Sequence, residues 1–272
     1  MLAVFGAGRV AGGLLAHLST SCETFVIARR ETQAEAAILD AASVTPELLA
    51  LARPATPDAA SRCDLVVLAA GTPVTPDTTA DSTLAANQAL VAAQLDSFRL
   101  KRTAIVIVVG SPVDQLTPFV QRRAGLPRRQ VLGFGGDLDR NRVIAILGQR
   151  GLPTRDAAAV GEHGARCIPV YADEEDWPAV ATTLRTYLST IVQKGGTPQN
   201  LASGRLLARL VDDLLAGGVT EHTLCAWHPG YNRTLTWPVA VCMEGSLEPT
   251  PLDLGPRAAA ALRDLPPMAE QG

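Results

Sequence analysis

Short apolar runs alternate with alanine-rich amphipathic stretches along the first half of the chain. Continuous apolar runs are typical of strands buried on both faces, and a 3.6-residue apolar repeat is typical of helices. The predicted strands are Leu2 to Phe5, Thr24 to Ala28, Leu65 to Ala69, Ala104 to Val109 and Gln130 to Gly133. The predicted helices are Val10 to Leu18, Thr32 to Ala42, Thr83 to Phe98 and Val113 to Ala124. This alternation predicts an α/β fold with a doubly wound parallel sheet.

The pattern changes near Asp137. Two long helical stretches and two later apolar runs, which resemble paired strands, indicate a mixed α+β arrangement. We therefore predict a dinucleotide-binding domain over residues 1–136 and a catalytic or substrate domain over residues 137–272. The helices predicted in the second half are Trp177 to Val192, Asn200 to Ala216 and Pro256 to Asp264, and the paired strands are Thr223 to Trp227 and Thr236 to Met243.

Composition narrows the class of protein. A chain of 272 residues, 47% hydrophobic and 19% charged, can bury one large core or two modest ones and is typical of a soluble globular enzyme. The net charge of -3 provides no basic field for nucleic acid, and no apolar run approaches the roughly 20 residues that span a bilayer. Because Met1 to Phe5 lead directly into a glycine-rich loop, we expect a first strand rather than a signal peptide, and a cytoplasmic location.

The cysteines and histidines predict no metal site. The five cysteines are scattered without a Cys-x-x-Cys pair, and none of the four histidines stands at a paired ligand spacing with them. We expect reduced structural thiols.

A dinucleotide fingerprint opens the chain. Gly6, Gly8 and Ala11 follow the first predicted strand and precede the first predicted helix. In this motif the first glycine permits a tight turn, the second lets the backbone approach the pyrophosphate, and the third small residue lets helix and strand touch. The context favours a Rossmann-type cofactor site over a plain turn, with Arg9 and Val10 also at the phosphates.

The end of the second predicted strand bears on the choice of cofactor. An NAD enzyme carries Asp or Glu there to bind the ribose hydroxyls, whereas this chain has Ala28, Arg29 and Arg30. Loss of the carboxylate removes repulsion against a ribose 2′-phosphate, and a guanidinium binds that phosphate with charge-assisted hydrogen bonds. The pattern favours NADP(H). NAD(H) is the alternative, with both arginines solvated and Glu31 or another group at the ribose.

Two segments carry candidate catalytic chemistry. Leu138-Asp139-Arg140-Asn141-Arg142 precedes Gly161-Glu162-His163-Gly164, in which the flanking glycines predict an exposed turn. His163 can exchange a proton with a carbonyl oxygen, Asp139 can stabilise the imidazolium and fix its tautomer, and Arg142 offers a two-pronged donor to a carboxylate. The alternative is a solvated helix terminus with a surface histidine, but the joint occurrence of the three residues favours catalysis.

From Met1 to about Ala216, the order and spacing of these motifs resemble the lactate and malate dehydrogenase family. The resemblance implies that His163 and Asp139 form the catalytic pair and that Arg142 binds the substrate carboxylate. It also implies that the segment after the third strand lies beside the cofactor ribose and pyrophosphate. The further residues assigned in this way are Ala70, Gly71, Thr72 and Val109 at the cofactor and Ser111 and Thr197 at the substrate.

The chain departs from the family pattern at the substrate. Ser111 replaces the asparagine of the family's Asn-Pro-Val-Asp segment, and a hydroxyl cannot supply the geometry of an amide. The family's mobile lid carries arginines that select the substrate and polarise its carbonyl, whereas Val74 and Ala80 stand at those positions here. For Thr197 the alternative is a cap on the next helix. The resemblance therefore implies an altered specificity.

We accordingly predict a divergent oxidoreductase that transfers a hydride between NADP(H), or NAD(H), and a 2-oxo or 2-hydroxy acid in specialised metabolism. One alternative is a non-catalytic dinucleotide-binding sensor, which the missing lid arginines favour and the retained Asp139, Arg142 and His163 oppose. Another is a reductase of a different carbonyl or an imine. Because family members pair through helices, a homodimer is expected, with a small-molecule substrate and neither nucleic acid nor membrane as partner.

Overall fold

The computed structural model describes residues 1–19, 22–72, 80–172, 174, 176–196 and 201–266, with residues 80 and 81 described by their backbone only. In the first half, six strands alternate with helices. The strands are β1 (Leu2–Phe5), β2 (Thr24–Ile27), β3 (Ala52–Pro54), β4 (Leu65–Leu68), β5 (Ile105–Val108) and β6 (Val131–Gly133). The helices are α1 (Arg9–His17), α2 (Glu31–Ala42), α3 (Leu48–Leu51), α4 (Ala80–Asp96) and α5 (Val113–Ala124).

These six strands are parallel and lie in the order β3-β2-β1-β4-β5-β6. This is the strand order of a doubly wound Rossmann sheet, whose topological switch point falls between β1 and β4. The loops that follow β1 and β4 therefore open side by side at the carboxyl edge of the sheet, where ligands collect in this fold.

Both faces of the parallel sheet are covered, which explains its continuous apolar strands. In β1, Leu2 and Val4 pack into the core that contains α1 and α2, whereas Ala3 and Phe5 pack into the core on the α4 and α5 side. All four side chains are buried. Since burial of one large apolar side chain contributes about 1.5 to 3 kcal/mol, each such strand anchors both layers.

Within its described residues, the second half adds five strands and four helices. In chain order they are α6 (Gly136–Gln149), β7 (Ala158–Gly161), β8 (Cys167–Val170), α7 (Trp177–Gln193), α8 (Ala202–Leu215), β9 (Thr220–His228), β10 (Arg233–Cys242), β11 (Gly245–Pro249) and α9 (Gly255–Arg263). β9 and β10 pair antiparallel along their whole length, and β7 and β8 form a second antiparallel pair. The predicted strand pair is thus confirmed.

One residue pair, Gly133 with Cys225, joins β6 to β9 and makes the two halves a single 11-stranded sheet. The sheet therefore runs across the predicted boundary at residue 136, and the division into two domains stays a prediction. The α/β class and the Rossmann arrangement are confirmed. Strands β3, β7, β8 and β11 were not predicted from the sequence.

The helix α9 is capped by a side chain that is distant in the sequence. The carboxylate of Glu174 accepts hydrogen bonds from the backbone N–H groups of Arg257 and Ala258, at 3.1 and 3.3 Å. These are first-turn donors that have no partner inside the helix. Within the described ranges, none of the helices is both long enough and apolar enough to cross a bilayer.

Candidate active site

The loop after β1 is shaped by two glycines. Gly6 has φ +121°, and its N–H donates to the carbonyl of Ile27 at 2.8 Å. A Cβ on Gly6 would lie 2.9 Å from the backbone nitrogen of Ala70, so only glycine allows the loops after β1 and β4 to approach this closely. Gly8 begins α1 and faces open space, since a Cβ there would meet nothing within 4 Å. An anion can therefore reach the first N–H groups of α1.

A cleft of about 1440 Å³ runs along this edge of the sheet. Its size and its glycine-lined floor suit an extended dinucleotide. Among the predicted cofactor residues, those that line the cleft are Gly6, Gly8, Arg9, Ala28, Arg29, Ala70 and Gly71. The residues therefore fit a nicotinamide dinucleotide, with its phosphates at the N-terminus of α1.

The two arginines after β2 are both exposed, and Arg29 lines the cleft. No ion pair to another residue of the described ranges is present for either Arg29 or Arg30. Asp40 of α2 is a carboxylate that also lines the cleft. Arg29 nevertheless offers its guanidinium to an anionic group of a ligand.

Asn87 was not predicted from the sequence as a site residue, yet it joins two of the predicted loops. Its side chain is buried in α4, where Oδ1 accepts the N–H of Thr72 at 2.9 Å and the hydroxyl of Thr72 at 3.1 Å. Its Nδ2 donates to the carbonyl of Ser111 at 2.6 Å. One amide thereby fixes the segment after β4 relative to the segment after β5, where Val109 is half-buried.

The three candidate catalytic side chains meet at one carboxylate. Asp139 lies in the first turn of α6, and His163 lies in the turn between β7 and β8. Nδ1 of His163 is 2.6 Å from Oδ2 of Asp139, and Nη1 of Arg142 donates to Oδ1 of Asp139 at 2.7 Å. An ionised carboxylate only accepts, so Nδ1 of His163 carries a proton and Nε2 is left to exchange one with a ligand.

The His163 turn is exposed only in part, because its far end, Ala165 and Arg166, is exposed whereas the His163 side chain is nearly buried. The His163 side chain is 14% exposed and that of Asp139 is 1% exposed. The turn is held inward because the N–H of Gly164 donates to Asp139 at 3.1 Å, and because Arg233 donates to Glu162 at 2.8 Å. The glycines predicted the turn, but the sequence did not show that polar contacts hold the His163 side chain inward.

The surroundings of His163 favour its charged form. Burial is the largest single influence and lowers the pKa of His163, but the opposing effects of Asp139 and Asp114 outweigh it, and the pKa is raised above the ordinary 6.5. Arg142 acts in the opposite direction as a like charge. The site therefore favours the protonated imidazole more than water does.

Arg142 is nearly buried, with 11% of its side chain exposed. Its guanidinium carbon lies 5.8 Å from the ring centroid of Tyr187 in α7, which supports the planar group from one side. Among the described residues, Asp139 accepts a hydrogen bond from Nη1 of Arg142 and from none of its other nitrogens. The other N–H groups of the guanidinium are thus available to a carboxylate ligand.

Gly135, immediately before α6, lets the imidazole approach the helix N-terminus. Its φ is +155°, and a Cβ there would lie 2.8 Å from Cγ, Nδ1 and Cε1 of His163. Any side chain would displace the ring. This requirement was not predicted from the sequence, because the neighbour of Gly135 is fixed only by the tertiary fold.

Some predicted residues fall outside this geometry. Thr197 and Val74 lie outside the described residues, as does the side chain of Ala80. The five cysteines are free, as expected for reduced thiols. In the ranges that the structure covers, no cluster of three or more His, Cys, Asp or Glu side chains is arranged to hold a metal ion.

The fold and the loop after β1 define a Rossmann-type nucleotide-binding protein. Residues 1–133 match the family model described as "lactate/malate dehydrogenase, NAD binding domain". The malate dehydrogenase of Thioalkalivibrio sulfidiphilus is 33% identical over 179 residues, which cover 62% of this chain and 58% of that protein. The malate dehydrogenase of Aeropyrum pernix is 27% identical over the same length and shares of the two chains. Residues 1–133 are therefore similar to the NAD-binding domain of the lactate/malate dehydrogenase family.

Solved structures extend the similarity of fold beyond the matched segment. The structure of the Aeropyrum pernix malate dehydrogenase has a TM-score of 0.81 at 22% identity and covers 97% of this chain and 94% of its own. A Cryptosporidium parvum lactate dehydrogenase complexed with lactic acid and nicotinamide adenine dinucleotide has a TM-score of 0.81 at 19% identity, covering 96% and 93%. In sequence, by contrast, the chain spans 58% of the length of the first two relatives.

Proposed function

We propose that this protein is an oxidoreductase that interconverts a 2-oxo acid and a 2-hydroxy acid with a nicotinamide dinucleotide. The observation that carries the proposal is the single carboxylate of Asp139, bonded to His163 at 2.6 Å and to Arg142 at 2.7 Å. The dinucleotide-sized cleft is lined separately, by residues that include the loops after β1 and β4. The similarity of residues 1–133 to the family's NAD-binding domain supports the same assignment.

The residues divide the chemistry between them. His163 donates its Nε2 proton to the carbonyl oxygen in reduction and takes it back in oxidation. Asp139 holds Nδ1 protonated and stabilises the imidazolium, and Arg142 orients the substrate carboxylate with the N–H groups that Asp139 does not use. A bound nicotinamide supplies or accepts the hydride.

Three variants separate these roles once a substrate is found by screening 2-oxo acids. His163→Asn should leave cofactor affinity unchanged and lower turnover by about 100-fold or more. Asp139→Asn should also lower turnover, because the imidazolium loses its counter-charge. Arg142→Lys should chiefly raise KM, since an ammonium cannot reproduce a two-pronged contact. Full activity of His163→Asn would contradict the mechanism.

We infer a preference for NADPH from the end of the cleft at Arg29, where neither arginine has an ion-pair partner in the described ranges. NADPH should bind more tightly than NADH by about 1 to 3 kcal/mol. Fluorescence titration of both cofactors tests this, with Arg29→Ala expected to weaken NADPH selectively and the exposed Arg122→Ala as matched control. Equal affinities, or a preference for NADH, would reject it.

We propose that pyruvate and oxaloacetate are poor substrates. Without arginines at the positions of Val74 and Ala80, the lid lacks the charge that selects a second carboxylate and stabilises the developing alkoxide. Turnover of oxaloacetate at about 1 to 1000 per second would contradict this inference. The same absence favours the second candidate, a non-catalytic dinucleotide sensor, which becomes the better assignment if the wild type reduces no oxo acid, ketone or imine.

We propose a homodimer formed through helices. Leu39 of α2 and Leu49 of α3 are each more than half exposed. Exposed apolar side chains gathered on adjacent helices are typical of a subunit interface. Sedimentation velocity should give a dimer for the wild type and a monomer for Leu39→Glu, whereas Val219→Glu, at an equally exposed apolar position, should stay dimeric. A monomeric wild type would refute the proposal.

A further inference from the structure

Asp114 is a buried carboxylate that the proposed mechanism does not use. It lies in the first turn of α5, three residues after Ser111, and is only 5% exposed. A buried carboxylate is costly unless its oxygens are hydrogen-bonded, so its partners indicate what it does.

Each oxygen of Asp114 has one partner from another part of the fold. Oδ2 accepts the backbone N–H of His163 at 2.8 Å. Oδ1 accepts the thiol of Cys225 in β9 at 3.1 Å, and that sulfur also lies 3.1 Å from Oγ1 of Thr236 in β10. The carboxylate therefore ties the His163 turn to α5 on one side and to the β9–β10 pair on the other.

We propose that Asp114 is a positioning residue for His163, which it anchors through the backbone N–H while it places a second negative charge next to the imidazole. Asp139 holds the ring and Asp114 holds the peptide, so the two carboxylates fix the imidazole from separate elements. The proposal rests on the assigned role of His163 in proton transfer. Because Asp114 lies in the first turn of the helix that follows Ser111, it links the Ser111 segment to the proton donor.

The electrostatics are consistent with this arrangement. Burial raises the pKa of Asp114 to about 6, against the lowering effects of His163 and of the Cys225 hydrogen bond. The groups that face Asp114 are His163 and Glu162 from the turn and Cys225 from β9, and of these Glu162 raises the pKa further. Protonated His163 and ionised Asp114 thus stabilise each other, so each changes the pKa of the other.

The test needs no substrate. In protein labelled at histidine Cε1, the His163 signal is identified among the four histidines by its loss in His163→Asn. Asp114→Asn retains an acceptor for the His163 N–H but removes the charge, and should lower the titration midpoint of His163 by roughly one pH unit. Cys225→Ser retains a donor to Asp114 and should leave the midpoint unchanged. An unchanged midpoint in folded Asp114→Asn, or equal shifts in both variants, would overturn the proposal.

Two further measurements keep the outcome decisive. In the wild type, the amide proton resonance of His163 should move as Asp114 titrates, and a resonance that is independent of that ionisation would overturn the proposal even if Asp114→Asn fails to fold. With a substrate in hand, Asp114→Asn should lower kcat with unchanged cofactor affinity. If no substrate is found while the midpoint shifts as expected, the proposed function fails and the positioning of His163 stands.

Discussion

Replacement of Gly135 by alanine should separate the imidazole from its counter-charge without changing any polar group. The added Cβ would lie 2.8 Å from three atoms of the His163 ring, whereas carbon atoms pack at about 3.5 to 4.0 Å. The ring must therefore retreat by about 0.7 Å or more. The bond from Nδ1 to Asp139, now 2.6 Å, would then pass beyond the range of about 2.7 to 3.2 Å that is normal for such bonds.

The size of the effect follows from two contributions. The backbone at Gly135 has φ +155°, a conformation that costs a non-glycine residue about 1 to 3 kcal/mol of unfolding free energy. A misplacement of about 1 Å at a reacting group lowers turnover by up to about 100-fold, so we expect a loss of roughly 10- to 100-fold in kcat. Cofactor affinity should not change, because Gly135 does not line the cleft.

The assay compares urea unfolding, cofactor affinity, kcat and the titration midpoint of His163. Gly125→Ala is the matched control. Gly125 has φ +64° and nothing lies within 4 Å of an added Cβ, so the alanine variant would have backbone strain without a steric clash. It should lose stability but keep kcat and the midpoint. A Gly135→Ala protein with the wild-type midpoint and kcat would show that the packing of the ring on this glycine does not set its geometry.

Three further changes test other contacts. Asn87→Ala removes buried hydrogen bonds worth about 0.5 to 1.5 kcal/mol each. It should lower the free energy of unfolding, measured with urea, and the affinity for the cofactor, measured by fluorescence titration. An unchanged cofactor affinity would contradict the link between the loops. Gly204→Ala places a Cβ 2.4 Å from Cα of Gly13 and should cost about 1 to 3 kcal/mol of unfolding free energy, unlike Gly218→Ala, which meets nothing within 4 Å. Because the pKa of Asp114 is raised, this carboxyl group contributes fully to the stability of the folded protein below pH 3.8, and the contribution is lost as the pH rises through about 6. Over that interval the free energy of unfolding of the wild type should fall by up to about 3 kcal/mol relative to that of Asp114→Asn. Parallel dependence of the two unfolding free energies on pH would refute this.

The parallel half of the fold was predictable because the side chains of its strands pack into two cores, one on each face of the sheet. Residues such as Ile105 to Val108 are buried on both faces, so their apolar runs are continuous and are bounded by turn residues. The hairpin of β7 and β8 gave no comparable pattern. Ala158 and Ala159 have low strand propensity, and Pro169 stands within β8; pairing with each other and with β10 makes them strands.

The candidate site also contains residues that were predictable from the sequence and residues that were not. Asp139, Arg142 and His163 were predictable since their residue types and spacing carry the chemistry directly. Asp114 and Asn87 were present in segments already singled out, but their partners lie 49 and 24 residues away along the chain. No local pattern indicates which distant backbone group a buried polar side chain will meet. The resemblance likewise could not show that Gly135 must lack a side chain.

Asp114 and the His163 turn are bonded together and to β9 near its junction with β6, where the parallel and antiparallel parts of the sheet meet. The packing at this junction therefore affects the geometry of the site. A Cβ on Gly133 would come within 2.7 Å of Cβ of Cys225, and one on Gly136 within 2.5 Å of the carbonyl oxygen of Thr223. These glycines bring β9 close enough for Cys225 to reach Asp114, which in turn holds the His163 turn. The cofactor loops, in contrast, depend on contacts among the loops after β1, β4 and β5. Substitutions at Gly133 or Gly136 should therefore impair proton transfer more than they impair cofactor binding.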